Sequence, residues 1–121
     1  MDWSWIDHEV ELIWNADITP GPAWNELTAG ITADVGSVQG GGLLLAPINE
    51  VSVCANAGDA VTLRTARAGI EQTVINNGAN ACDVFPNTGD NLGAGVNTAV
   101  SLAAGANITY YAWDATNWVA I

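Results

Sequence analysis

From Glu50 onward the chain alternates with a period close to two. Val51 and Val53 are interleaved with Ser52 and Cys54, Val61 and Leu63 with Ala60, Thr62 and Arg64, and Ile70, Gln72 and Val74 with Glu71, Thr73 and Ile75. Alternation of this kind sends successive side chains to opposite faces of an extended backbone, so each run reads as a half-buried strand. The runs ACDVF, TAVSL, ITYYAW and NWVAI follow, at intervals of roughly 8 to 12 residues with Gly, Asn and Asp between them. About seven short strands so spaced predict an all-β fold, an antiparallel β-sandwich or a barrel-like domain. Nothing after Gly40 has a helical period long enough to compete.

The turn residues point to hairpins. Asn77-Gly78, between TVIN and ANACDVF, suits a two-residue type I′ turn, in which both central residues need positive φ. Gly58-Asp59, Gly89-Asp90 and Gly105-Ala106 punctuate the strands in the same manner, with Gly taking the left-handed position. The closing WDATNWVAI predicts a hairpin with Asp114 to Asn117 at its tip.

Before Gly40 the character differs. Four of the six Trp lie there (Trp3, Trp5, Trp14, Trp24), together with the only His (His8), Pro20, Pro22 and more than half of the acidic residues. Residues 1–40 therefore read as an N-terminal, Trp-rich arm and residues 41–121 as the β domain. Within the arm, residues 10–14 suit a strand, or residues 4–14 a short helix with Ser4 as N-cap. ITPGPAW breaks regular structure because Pro removes a donor and biases its predecessor to extended geometry. AWNELTAGI suits one helical turn, and GGGLLLAP a flexible joint into an apolar run.

Charge narrows the partners. Thirteen Asp and Glu stand against two Arg and no Lys, for a net charge of −11. A surface of that sign repels nucleic acid and anionic lipid, so neither is expected as a partner, and it favours a basic one. No apolar run approaches the ~18 residues of a membrane span. The acidic opening segment lacks the positive n-region of a secretory signal. Only 12% of residues are charged although half are hydrophobic, a balance that fits a self-associating or docked protein. Cys54 and Cys82 lie in strand-like runs, as two buried thiols or, if their strands are neighbours, a pair.

The inventory for catalysis is poor, and no enzyme activity is expected. His8 is the only imidazole and sits beside Asp7 and Glu9, away from any nucleophile. One His and two distant Cys lack zinc-ligand spacing. Asp83, Asn87, Asp90 and Asn91 offer oxygen ligands suited to calcium but lack EF-hand spacing, so they read as Asx-turn residues. The glycines 40–42 have no following Lys-Ser/Thr to make a phosphate loop. No cofactor is expected. Two sets remain as interface candidates: Arg64 and Arg67, the only cations, as ion-pair members within the fold or across a subunit boundary, or as a solvated pair; and Trp3, Trp5, Trp14 and Trp24, as anchors for a partner surface or as a cover for the chain's own thin Ala and Val core. Trp113 and Trp118 read as core or edge packing.

The stretch from Gly58 to Trp118 carries VTL, then VINNGAN, then VFPNTGDNL, then AVSLAAG, and an aromatic strand ending near Trp. It resembles a module of tailed-bacteriophage virion structural proteins, most nearly small capsid decoration (cement) proteins, and one shared with fibre domains. The resemblance covers roughly half the chain and implies a β-rich, non-enzymatic homotrimer. It further implies a position on the outer surface of the head, in contact with the major capsid protein. A receptor- or glycan-binding module of a tail or head fibre is the alternative it implies. Residues 1–40 carry no motif of that family.

Overall fold

The computed structural model describes residues 26–121; Trp3, Trp5, Trp14, Trp24 and His8 lie outside them. Eight strands form: β1 (Leu27–Thr32), β2 (Ile48–Val53), β3 (Ala60–Thr62), β4 (Glu71–Asn76), β5 (Cys82–Phe85), β6 (Val100–Leu102), β7 (Asn107–Ala112) and β8 (Trp118–Ala120). They build a five-stranded sheet, ordered β1-β2-β4-β7-β8, and a three-stranded sheet, ordered β3-β5-β6. The all-β, sandwich-like architecture expected from the period-two runs is thus present, and the described residues contain no helix.

Strand direction differs from the antiparallel expectation. β1 with β2, β2 with β4 and β3 with β5 are parallel, while β4 with β7, β7 with β8 and β5 with β6 are antiparallel. From β2 to β5 the chain alternates between the sheets, laying each strand beside the one two places earlier. After a single strand in the opposite sheet, β4 and β5 each come back in the direction of their earlier neighbour, whereas the β5–β6 reversal brings β7 back antiparallel to β4. Leu43 extends this coil upstream, bridging in parallel to Thr62 on the three-stranded side. Strands β6 to β8 then fold back and close both sheets.

Three local expectations change with the topology. The segment LTAGIT, read as part of a helical turn within the arm, is an edge strand of the larger sheet, so the sheet takes in residues upstream of position 41. Its period is hidden because the register slips between Thr28 and Ile31, where Gly30 has φ +76°. Asn77-Gly78 is not a hairpin tip: it carries the chain from β4 in one sheet to β5 in the other, and Gly78 is absent from the positive-φ glycines. The glycines 40–42 are a held turn, not a loose joint. Gly42 N–H donates to Asp34 Oδ2 at 2.9 Å, and a Cβ there would sit 2.6 Å from the Ala60 carbonyl oxygen. The hairpin at the C-terminus is as expected, with β7 and β8 paired from Tyr110↔Ala120 to Ala112↔Trp118.

One apolar cluster fills the space between the sheets. Val51, Val74, Tyr110, Ala112 and Trp118 come from the larger sheet and Val61, Cys82, Val84 and Leu102 from the smaller, with Leu44, Leu63 and Leu92 from the loops. Each fully buried Val or Leu contributes about 1.5–3 kcal/mol relative to exposure. Cys54 and Cys82 are both buried and unpaired. Burial pushes the Cys82 thiol up to about 11, with nearby Cys54 adding to the effect.

The inner face of the larger sheet also buries three amides, Asn49, Gln72 and Asn76. Each donates its side-chain amide to backbone carbonyls, mostly of the loops. Asn49 Nδ2 donates to the Ala46 carbonyl at 2.8 Å, and Asn76 Nδ2 donates to the carbonyls of Asn80 and Leu102, both at 2.9 Å. A coil that leaves one sheet for the other strands backbone groups away from any ladder, and buried groups so stranded need partners. The amides supply them.

Two half-buried carboxylates fasten the periphery. Glu50 accepts from Gly30 N–H at 2.9 Å, Ser52 Oγ at 2.7 Å and Asn77 Nδ2 at 2.9 Å, tying β1 and the 77–81 corner to β2. Asp114 closes the β7–β8 loop by accepting from the N–H groups of Thr116 (2.8 Å) and Asn117 (2.7 Å) and from the Asn117 amide. Those bonds hold both carboxyls below the ordinary carboxylate range, led by the Gly30 bond for Glu50 and the Thr116 bond for Asp114. A carboxyl depressed in the folded state stabilises it above the unfolded-state pKa, and that contribution disappears as pH falls through the folded value. The melting-temperature advantage of the wild type over a Glu50→Ala/Asp114→Ala variant is therefore expected to be full at pH 6 and to shrink towards about pH 2. Thermal melts of both proteins across that range, followed by circular dichroism, check it; a constant difference would contradict the assignment.

Candidate functional site

Both cations of the chain open onto one cleft. Arg64 and Arg67 leave the end of β3 on the loop 63–69, and together with Leu43, Leu45, Thr65 and Asn87 they line an open depression of about 250 Å³. Leu43 and Leu45 are 52% and 68% exposed, flanking the buried Leu44. The alternation follows from the parallel bridge of Leu43 to Thr62: extended backbone sends Leu44 into the core and its neighbours to the surface.

The walls of the cleft are fixed from beneath. Gln72 Nε2 donates to the carbonyls of Leu44 (2.9 Å) and Ala46 (3.0 Å), and its Oε1 accepts from the Arg64 N–H (2.9 Å). One buried amide thus ties the leucine wall to the arginine wall. On the other side, Asn87 Nδ2 donates to the Leu63 carbonyl at 3.2 Å, and buried Asp90 accepts from the Ala66 N–H at 2.8 Å. Ile70 N–H closes the loop onto the Arg67 carbonyl at 3.1 Å, and Gly69 at φ +94° turns the chain into β4. The backbone carrying the guanidiniums is therefore set by partners on three sides.

Among the described residues, no hydrogen bond or ion pair engages either guanidinium; Arg64 bonds through its backbone N–H, to Gln72 Oε1. Two planar five-donor groups beside two exposed leucines suit a ligand that presents carboxylates next to an apolar or aromatic surface. Among the described residues the lining includes one hydroxyl, that of Thr65, and no His, Cys or carboxylate.

Of the sequence-derived candidates, the structure brings Arg64 and Arg67 together. The four arm tryptophans lie outside the described residues. The oxygen donors considered for calcium are dispersed on separate duties. Asp83 bonds Ser37 Oγ, Asn87 and Asp90 hold the cleft loop, and Asn91 Oδ1 accepts from the N–H groups of Gly93 (2.6 Å) and Gly95 (3.1 Å). No group of three or more metal-ligating side chains occurs among the described residues. Trp118 is 2% exposed and belongs to the core, whereas Trp113 is 58% exposed at the start of the β7–β8 loop. Sequence reasoning missed Leu43 and Leu45, because three successive leucines show no period; their position between Gly42 and Pro47 was the available sign of a short extended run.

A second surface lies at the edge of the larger sheet. Among the described strands β8 pairs only with β7; on its other side Asn91 bridges Asn117 and its carbonyl accepts the Trp118 N–H at 2.9 Å, so only the Ala120 end of that side lacks a backbone partner among the described residues. Exposed Tyr111 and Val119 form a cross-strand pair there, with Trp113 and Ile121 exposed beside them. No family model, curated protein or solved structure matches the chain.

Proposed function

We propose that this chain is a structural protein of a tailed-phage virion, a capsid decoration (cement) protein. In this reading it binds the outer surface of the head as a homotrimer, contacts the major capsid protein and stabilises the shell without catalysing a reaction. The observation that carries the reading is the exposed apolar cluster Tyr111, Trp113, Val119 and Ile121 on the β7–β8 ribbon at the margin of the larger sheet. Exposed aromatic and β-branched side chains gathered on an edge ribbon are suited to subunit packing. Low charge density and the sequence resemblance support the same reading.

The test is assembly state and location. Sedimentation of the purified chain is expected to give three times the 12.5 kDa monomer mass, and the protein is expected to bind expanded heads but not dissociated capsid subunits. A monomer that binds no head, or a position confined to the tail tip, would overturn the proposal. The exposure of Trp113 favours a second reading, a glycan-binding fibre module in which that ring stacks on a sugar. Glycan-array binding abolished by Trp113→Ala, with head binding absent, would select it.

A further inference from the structure

The carboxylates of the described chain are largely committed. Asp34, Glu50, Asp59, Asp83, Asp90 and Asp114 each accept hydrogen bonds from nearby loops. The cleft with both arginines, by contrast, presents donors and two exposed leucines to solvent. Its complement is written elsewhere in the same chain. Residues 2–14, DWSWIDHEVELIW, hold Asp2, Asp7, Glu9 and Glu11 with no Lys or Arg, interleaved with Trp3, Trp5, Ile6, Leu12 and Trp14.

The path of the chain also favours this match. The Glu26 carbonyl accepts from the Ile48 N–H at 3.2 Å, so the described chain begins beside Ile48. Leu45, on the rim of the cleft, precedes Ile48 by three residues, a distance of at most ~10 Å along extended backbone. The preceding 25 residues span up to ~85 Å when extended, enough to reach this cleft or that of an adjacent copy.

We propose that the Arg64–Arg67 cleft is the docking site for the acidic, tryptophan-bearing segment 2–14 of this chain. Its carboxylates pair with the two guanidiniums, and its indole rings cover Leu43 and Leu45 and stack on the arginine planes. Docking places the segment's negative charge on the chain's only cations, and it covers the exposed leucines of the cleft. The inference does not depend on the virion reading, since it concerns only this chain and copies of it.

The absence of lysine makes a direct test available. Arg67→Lys in the full-length protein puts the sole side-chain amine at the cleft, and carbodiimide then joins it to whichever carboxylate lies against it. Mass spectrometry of the digested product is expected to find the amide bond to Asp2, Asp7, Glu9 or Glu11, with the yield falling roughly fivefold or more in 1 M NaCl. A product of monomer mass assigns the segment to its own cleft, and one of dimer mass assigns it to a neighbour's. Coupling only to carboxylates within residues 26–121, or no coupling in a protein that melts like the wild type, would overturn the proposal.

A second measurement needs no crosslink. Arg64→Glu/Arg67→Glu is expected to raise acrylamide quenching of tryptophan fluorescence, and Glu9→Arg/Glu11→Arg added to it is expected to restore the wild-type value. Unchanged quenching in the first variant, or failure of the second to restore it, would count against docking.

Discussion

Gln72→Leu is expected to lower the melting temperature by roughly 10–20 °C, the largest effect of any single side-chain change considered for this domain. The substitution roughly keeps volume, replaces the amide with apolar carbon and removes three hydrogen bonds at once. The Leu44 carbonyl and the Arg64 N–H lose the partner Gln72 gave them, while the Ala46 carbonyl retains the Asn49 amide. A buried backbone group left unsatisfied costs about 1–3 kcal/mol, so two of them cost about 2–6 kcal/mol. That is a large share of the 5–15 kcal/mol typical of a domain. Burying more carbon in the leucine side chain offsets only part of it. Glu71→Gln, next in sequence but on the solvent face, is expected to change stability by less than about 0.5 kcal/mol. Thermal and urea melts of the two variants decide the matter, and equal effects would show that the amide is not the tie described.

Gly78→Ala is the second large effect, expected at about 3 kcal/mol of destabilisation. The reason is space and not backbone conformation. An added Cβ would lie 2.6 Å from the backbone nitrogen of Cys54 and 2.7 Å from its Cβ. Cys54 cannot retreat easily, because its carbonyl accepts from Asn80 Nδ2 at 3.0 Å and its thiol faces the carbonyls of Asn56 and Ala81. Gly89→Ala is the contrasting change: its Cβ would meet nothing within 4 Å, but φ is +89°. It is expected to cost only about 1 kcal/mol, the penalty of a left-handed backbone for a residue with a Cβ. Urea denaturation of both variants should rank them in that order. The reverse order would mean that the 77–81 corner yields to the extra methyl.

Strand positions were legible because burial on one face imposes a period of two, and β2, β4 and β7 each show it plainly. The sheet to which each strand belongs was not legible. Period two is the same for a hairpin partner and for a strand that returns after a visit to the opposite sheet. Asn77-Gly78 is the clearest case: the dipeptide marks a tight change of direction, but here the glycine serves close backbone approach and Asn76 Oδ1 caps its N–H at 2.9 Å. β1 was hidden by its slipped register. At the site, the rarity of cations singled out Arg64 and Arg67, and the fold brought them to one cleft. Gln72 reads as a buried-face position by parity with Val74, yet nothing in the sequence says that its amide bridges two loops.

The coiled path of β1 to β5 also bears on time. Parallel neighbours are separated by a whole circuit of chain, as Leu27↔Ile48, Ile48↔Thr73 and Ala60↔Asp83 show. Each circuit must close before its ladder offers any reward, and such non-local pairing slows folding relative to hairpins. The one short-range pairing, β7 with β8, lies at the C-terminal end, and β7 is the strand that completes the sheet against β4. A ribosome therefore releases the circuits before the strands that close them, so the β4 edge has no native neighbour on that side until β7 has been made.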